Sequence, residues 1–180
     1  MHKTLLTKLA HDSKGQTMTK TTNVLFLCTG NSARSILSEA LLNDLGEGRF
    51  RAWSAGSHPS GTPHPDGLAE LQKQGHATDM YSSQSWDEFS KDGAPEFDII
   101  VTVCDNAANE VCPVFFGPGL KVHWPQVDPA HIEPLSARQA AFARTYKICK
   151  ARIEALLDLS EVQRLDRATV QAIADIDPTS

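Results

Sequence analysis

The sequence has no run of lysine and arginine, no long apolar stretch and few cysteines. Each shortage excludes a class of protein. Lys and Arg together number 17 against 22 Asp and Glu, a net charge of −5. Nucleic acid and anionic membrane surfaces are therefore poor partners. The longest apolar stretches are about five residues, against the ~20 that a membrane helix needs. The N-terminal MHKTLLTKLAHDSKGQT lacks the apolar core of a secretory signal, so a cytoplasmic location is expected. Residues 1–21 read as a flexible N-terminal tail, with Met18 as an alternative start, ahead of one domain over 22–180. Four cysteines in 180 residues are too few for a disulfide scaffold. The Cys104-x7-Cys112 spacing is wider than zinc sites use. In a cytoplasmic chain such thiols are more often catalytic or redox-active. What remains is ordinary: 41% hydrophobic and 22% charged residues, enough for one soluble domain with a sizeable core.

Strand and helix patterns alternate along the chain. NVLFL (23–27) is an apolar run with turn signals on both sides, the signature of a buried parallel strand. ARSILSEALLNDL (33–45) places Ile36, Ala40 and Leu41 on one helical face, ending near Gly46 and Gly48. RFRAWSAG (49–56) reads as a strand and PDGLAELQKQG (65–75) as a helix opened by proline. SSQSWDEF (82–89) reads as a short capped helix or turn. FDIIVTVC (97–104) is the strongest strand signal, LKVHW (120–124) a fourth strand and residues 136–158 a long helix. Residues 161–176 read as a further helix, loosely attached, in a C-terminal extension from about 160. The alternation predicts an α/β fold, three-layer, with a four-stranded parallel sheet and helices on both faces. Ligands in such folds sit at the carboxyl ends of the strands, and Cys28 and Cys104 each fall at one.

After the first strand comes CTGNSARS (28–35). Thr29, Gly30, Asn31, Ser32 and Ala33 supply backbone N–H groups ahead of a helix N-terminus, which makes an oxyanion-binding loop. The same field is expected to depress the pKa of Cys28 and make it a nucleophile. Arg34 offers a planar fork for two oxygens of a tetrahedral anion. Ser32 and Ser35 are positioned to donate to the thiolate.

CTGNSARS closely resembles the Cys-x5-Arg-Ser loop of the low-molecular-weight protein tyrosine phosphatase family and its arsenate reductase branch, over residues 22–157. The resemblance implies the fold of that family and an aspartate-proline general acid, here Asp128-Pro129 in VDPA. VTVCDNAANEVCPV (101–114) resembles the reductase segment that carries two resolving thiols. By that resemblance Cys104 attacks a Cys28–arsenic adduct, Cys112 takes over to leave Cys104–Cys112, and an outside reductant reopens that disulfide. Two resolving cysteines favour thioredoxin as that reductant, with glutaredoxin or a low-molecular-weight thiol as alternatives. The resemblance also matches Asn31, Glu39 and Ser54 to residues that bind potassium in some arsenate reductases; a polar loop bracing itself is the competing reading. No other cofactor is implied, and a monomer is expected.

The chemistry separates reductase from phosphatase. A cysteine–arsenic(V) adduct is reduced when a second thiol attacks its sulfur, whereas a phosphocysteine waits for water. The position that holds a second loop cysteine in many phosphatases of this family is Ala33 here. Ala130-His131 stand where those enzymes place aromatic residues, so an aryl phosphate finds little to stack on. A phosphatase for small phosphoesters and a non-catalytic oxyanion or redox sensor remain the alternatives. If 104–112 were helical, with Asp105 or Asn106 as cap, its ends would lie about 12 Å apart. A disulfide tolerates about 7 Å, so this segment is expected to unwind on oxidation, flanked by Pro113 and 115–119. Cys149 shares a helical face with Ile153 and Leu156 and reads as core. The histidines, His58, His64 and His123 among them, show no ligand spacing, and the loop over 57–67 is placed to frame the anion mouth.

Overall fold

Strand β1 (Thr22–Cys28) is buried from Val24 onward. Its alternate side chains enter two cores: Val24, Phe26 and Cys28 on one face, Leu25 and Leu27 on the other. An unbroken apolar string is what a strand covered on both faces requires. The computed structural model describes residues 20–104, 107, 117 and 119–180. Most of the expected tail lies outside them. Its last two residues are bound: Lys20 pairs with Asp98 at 2.8 Å, and the Thr21 hydroxyl donates to the Gly48 carbonyl.

Strand β1 pairs in parallel with β2 (Phe50–Gly56) and β3 (Ile99–Thr102), and β3 with β4 (Leu120–His123), in the order β2-β1-β3-β4. Helix α1 (Arg34–Leu45) buries Ile36, Ala40 and Leu41 as their spacing predicts. It ends at Gly46, where a Cβ would meet the Leu42 carbonyl at 2.5 Å. Helix α2 (Pro65–Lys73) opens on proline, with the His64 ring accepting the Asp66 amide as cap. Both helices pack with α3 (Leu135–Asp158) on the larger core. A 3-10 helix over Trp86–Ser90, capped by Ser85, supplies Trp86 and Phe89 to the second core. Cys149, Ile153 and Leu156 lie in the larger core, as expected.

The segment after 160 differs from the expectation of one loose helix. It forms α4 (Glu161–Arg164), α5 (Arg167–Ala172) and a 3-10 turn (Ile173–Asp175). Two local start signals break it. Ser160 and Gln163 close a capping box, and Asp166 then accepts the Thr169 amide and begins a new helix. Nor is it loose. Arg152 of α3 donates to the carbonyls of Trp124, Pro125, Ala174 and Ile176. The Trp124 indole donates to the Val170 carbonyl at 3.0 Å, and Arg164 lies over the Phe50 ring. Among the described residues, no helix is long and apolar enough to cross a membrane.

Candidate active site

The loop after β1 is held from outside by its carbonyls. Those of Thr29, Gly30 and Ser32 accept the amides of His58, Ser60 and His64 at 2.9, 3.0 and 2.8 Å. Within a trans peptide unit the N–H points opposite to the C=O. Fixing three carbonyls outward therefore turns the amides of Gly30, Asn31 and Ala33 inward, as an anion cradle requires. The 57–67 loop, expected to frame the anion mouth, holds this loop through its backbone. Close approach explains Gly56 at the end of β2: a Cβ there would sit 2.4 Å from the Thr29 carbonyl. Asn31 is fully buried in the left-handed conformation at φ 42°. Its side chain bridges three elements: the amide nitrogen donates to Ser35 and Ser54, and the oxygen accepts the Gln84 N–H. Helix α1 starts at Ala33 without a side-chain cap, which leaves its N-terminus for an anion.

Cys28 and Cys104 come together here, both buried. The two thiols are hydrogen-bonded to each other. Cys104 is the better-served sulfur. It accepts the Cys28 thiol, the Thr29 N–H at 3.3 Å and the Ala107 N–H at 3.4 Å, and lies 3.5 Å from the Thr29 hydroxyl. These donors pull Cys104 down to about 5, the Cys28 hydrogen bond contributing most. Cys28 is pushed up from its ordinary value, first because it donates to Cys104 and then because it is desolvated. Arg34 and the Gly30 amide pull it the other way. The expected depression thus belongs to the Cys28–Cys104 pair rather than to Cys28 alone. The pair gives up one proton readily and holds the other. The Gly30 amide and Cys104 meet the Cys28 sulfur, and the Ser35 hydroxyl accepts the Asn31 side-chain amide.

Arg34 is 8% exposed. One terminal nitrogen pairs with Asp128 Oδ2 at 3.0 Å, and the other donates to the Gln126 carbonyl at 2.9 Å. Its Nε is buried without an acceptor among the described residues. An orphaned donor costs about 1–3 kcal/mol, which an oxyanion oxygen would relieve. Asp128 is held by Arg34 and by the Ala130 amide, with 40% of its side chain exposed. Gln126 was not singled out from the sequence, because a backbone carbonyl leaves no mark in residue type. Gly56 and Gln84 were missed for a similar reason: each acts through a neighbour distant in the chain.

Asn31, Glu39 and Ser54 do meet, as a hydrogen-bonded chain in which Ser54 donates to Glu39 at 2.5 Å. Burial raises the Glu39 carboxyl to about 7. The backbone N–H of Gln84 fixes the Asn31 oxygen away from Ser54, so the amide presents N–H rather than oxygen to this spot. The residues as arranged do not fit a cation, and the bracing reading accounts for them. Among the described residues, no cluster of His, Cys, Asp and Glu could hold a metal ion. His64 stacks on Phe142 and caps α2, His58 lies beside Ser57, and His123 bonds Thr102. Cys112, Asp105, Asn106, Pro113 and most of 104–119 lie outside the described residues, and with them the expected unwinding.

An arsenate reductase of Shouchella clausii is 30% identical over 139 residues, spanning 77% of this chain and 96% of that one. An arsenate reductase of Halalkalibacterium halodurans is 33% identical over 110 residues, spanning 61% and 76%. The crystal structure of arsenate reductase from Archaeoglobus fulgidus superposes with a TM-score of 0.54 and 28% identity, covering 73% of this chain and 98% of that one. Residues 23–171 match the family model for low molecular weight phosphotyrosine protein phosphatase. The four-stranded parallel sheet, the Cys-x5-Arg loop after its first strand and these matches agree, and the chain belongs to the low-molecular-weight phosphotyrosine protein phosphatase family.

Proposed function

We propose that this protein is an arsenate reductase that uses Cys28, Cys104 and Cys112 in sequence. Arsenate enters the loop, where inward amides and the Arg34 guanidinium take its oxygens. Cys28 passes its proton to Cys104 as its sulfur bonds to arsenic. Asp128 protonates the departing oxygen, which leaves as water. Cys104 then loses its proton to an arsenic-bound oxygen and attacks the Cys28 sulfur. The sulfur–arsenic bond breaks with its electron pair on arsenic, which leaves as arsenite, and a Cys28–Cys104 disulfide forms. Cys112 attacks Cys104, frees Cys28 and leaves Cys104–Cys112. A dithiol protein of the thioredoxin type returns both thiols at the expense of its own, with glutaredoxin or a small thiol as alternatives. Both resolving steps need thiolates, and the Thr29 and Ala107 amides that donate to Cys104 suit the first.

The observation that carries this reading is the Cys28–Cys104 contact, because hydrolysis alone has no use for a second thiol there. The test is arsenite release with thioredoxin and thioredoxin reductase. Wild type should turn over many times, while Cys104→Ser and Cys112→Ser should stop after at most one equivalent. Steady turnover by Cys104→Ser would contradict the relay. A hydrolase for small phosphoesters is the second reading. Arg34 and Asp128 in contact at 3.0 Å are the groups it needs beside Cys28, and it would survive Cys104→Ser.

A further inference from the structure

Trp124 and Pro129 are buried at the two ends of the loop that carries Asp128, while Pro125 and Val127 between them are exposed. Gln126 turns inward, and every polar group it owns is used. Its N–H donates to the carbonyl of Val103, the residue before Cys104, at 3.2 Å. Its carbonyl accepts Arg34 Nη1 at 2.9 Å. Its side-chain amide meets Cys149 in the buried middle of α3: Nε2 donates to Sγ at 3.4 Å, and Sγ lies 3.6 Å from Oε1. Cys149 is 1% exposed. Ser38 of α1 also reaches this thiol at 3.5 Å.

Two independent constraints thus meet on one residue. The Arg34 fork is planar and rigid, with one terminal nitrogen on the Gln126 carbonyl and the other on Asp128. Moving the Gln126 carbonyl therefore rotates the guanidinium and drags the Asp128 carboxylate with it. From the core side the Gln126–Cys149 pair resists that movement, beside the Val103 hydrogen bond and the Arg152 contact to the Pro125 carbonyl. We propose that Gln126, gripped by Cys149, is a positioning residue that sets Arg34 and Asp128 relative to the Cys28 sulfur. The proposal rests on the oxyanion chemistry above, and it gives the thiol that reads as inert core a task as an anchor.

The test compares Gln126→Met, which keeps the length of the side chain but not its polar pair, with Cys149→Ala, Cys149→Ser and the Gln126→Met/Cys149→Ala double variant. Arsenite turnover, affinity for inorganic phosphate and thermal midpoint are read on each. Gln126→Met should lower turnover about tenfold, a fraction of what general acid catalysis contributes. It should weaken phosphate binding about threefold through Arg34. Cys149→Ser, whose hydroxyl can both donate and accept, should retain most turnover. The double variant should be no worse than Gln126→Met alone, because both remove one shared contact. Should Gln126→Met fail to fold, Cys149→Ala carries the same comparison. Unchanged turnover and unchanged phosphate affinity, or losses that simply add, would overturn the proposal. A wild-type protein that releases no arsenite would instead refute the reaction, and phosphate affinity would then decide the positioning by itself.

Discussion

Cys104 at the end of β3 and Cys149 in the middle of α3 are both shut away from solvent, 6% and 1% exposed, yet their thiols shift in opposite directions. Desolvation pushes Cys149 up, and the hydroxyl and amide beside it do not compensate. The same desolvation acts on Cys104, but a second thiol and two backbone amides donate to its sulfur and bring it down to about 5. Burial alone therefore does not set the acidity of these two thiols; the donors aimed at each sulfur decide it. The difference follows from topology. Strands β1 and β3 are parallel neighbours, so both carboxyl ends, and both thiols, reach one edge of the sheet. Helix α3 presents Cys149 to packing partners and to one glutamine.

The sharpest way to break this comparison is substitution. Cys104→Ser should abolish sustained arsenite release, a loss of roughly a thousandfold or more of the kind seen when a nucleophile is removed. Cys149→Ser should cost about threefold at most, since a hydroxyl preserves the Gln126 pairing. Equal losses would erase the distinction. A titration followed by thiolate absorbance gives the next effect. One thiolate should form with a midpoint about pH 5, disappear in Cys104→Ser and persist in Cys149→Ser. The sign for stability follows. Between about 5 and the ordinary thiol value of 9.0, the folded chain holds fewer protons at Cys104 than the unfolded chain, so its contribution grows as pH rises through that window. It is lost as pH falls through about 5. Cys28→Ser should raise the Cys104 midpoint, because the largest cause of the lowering is gone. The smallest effect concerns the brace under the loop. Exchanging potassium for sodium should shift the thermal midpoint by no more than about 1 °C, because Asn31, Ser54 and Glu39 satisfy one another without a cation. Stabilisation specific to potassium would contradict that.

Much of this was legible in the sequence. An apolar run ending in Cys28, followed by small polar residues and Arg34, places a thiol at a strand end ahead of a backbone loop by local rules alone. The strong strand ending near Cys104 puts a second thiol at the same edge. Asp128 was legible only through the resemblance, because Asp-Pro by itself marks a common turn. What stayed hidden is what acts across the chain. The proton shared by Cys28 and Cys104 depends on a contact between residues 76 positions apart, so local reasoning treats Cys28 alone where the two sulfurs titrate as a pair. The outward carbonyls that aim the loop are fixed by His58, Ser60 and His64, whose side chains say nothing of their backbone role. The C-terminal segment was misread for a different reason. Its apolar spacing suits one helix, but Ser160 and Asp166 carry two separate starts.

A relay through three thiols acting in order would leave a covalent record, which one measurement can read. Reduced Cys112→Ser protein, given one equivalent of arsenate and no reductant, should release close to one arsenite. Peptide mapping should then show Cys28 joined to Cys104, with Cys149 still free. Arsenate recovered unchanged with all thiols reduced, or a disulfide that includes Cys149, would contradict the account.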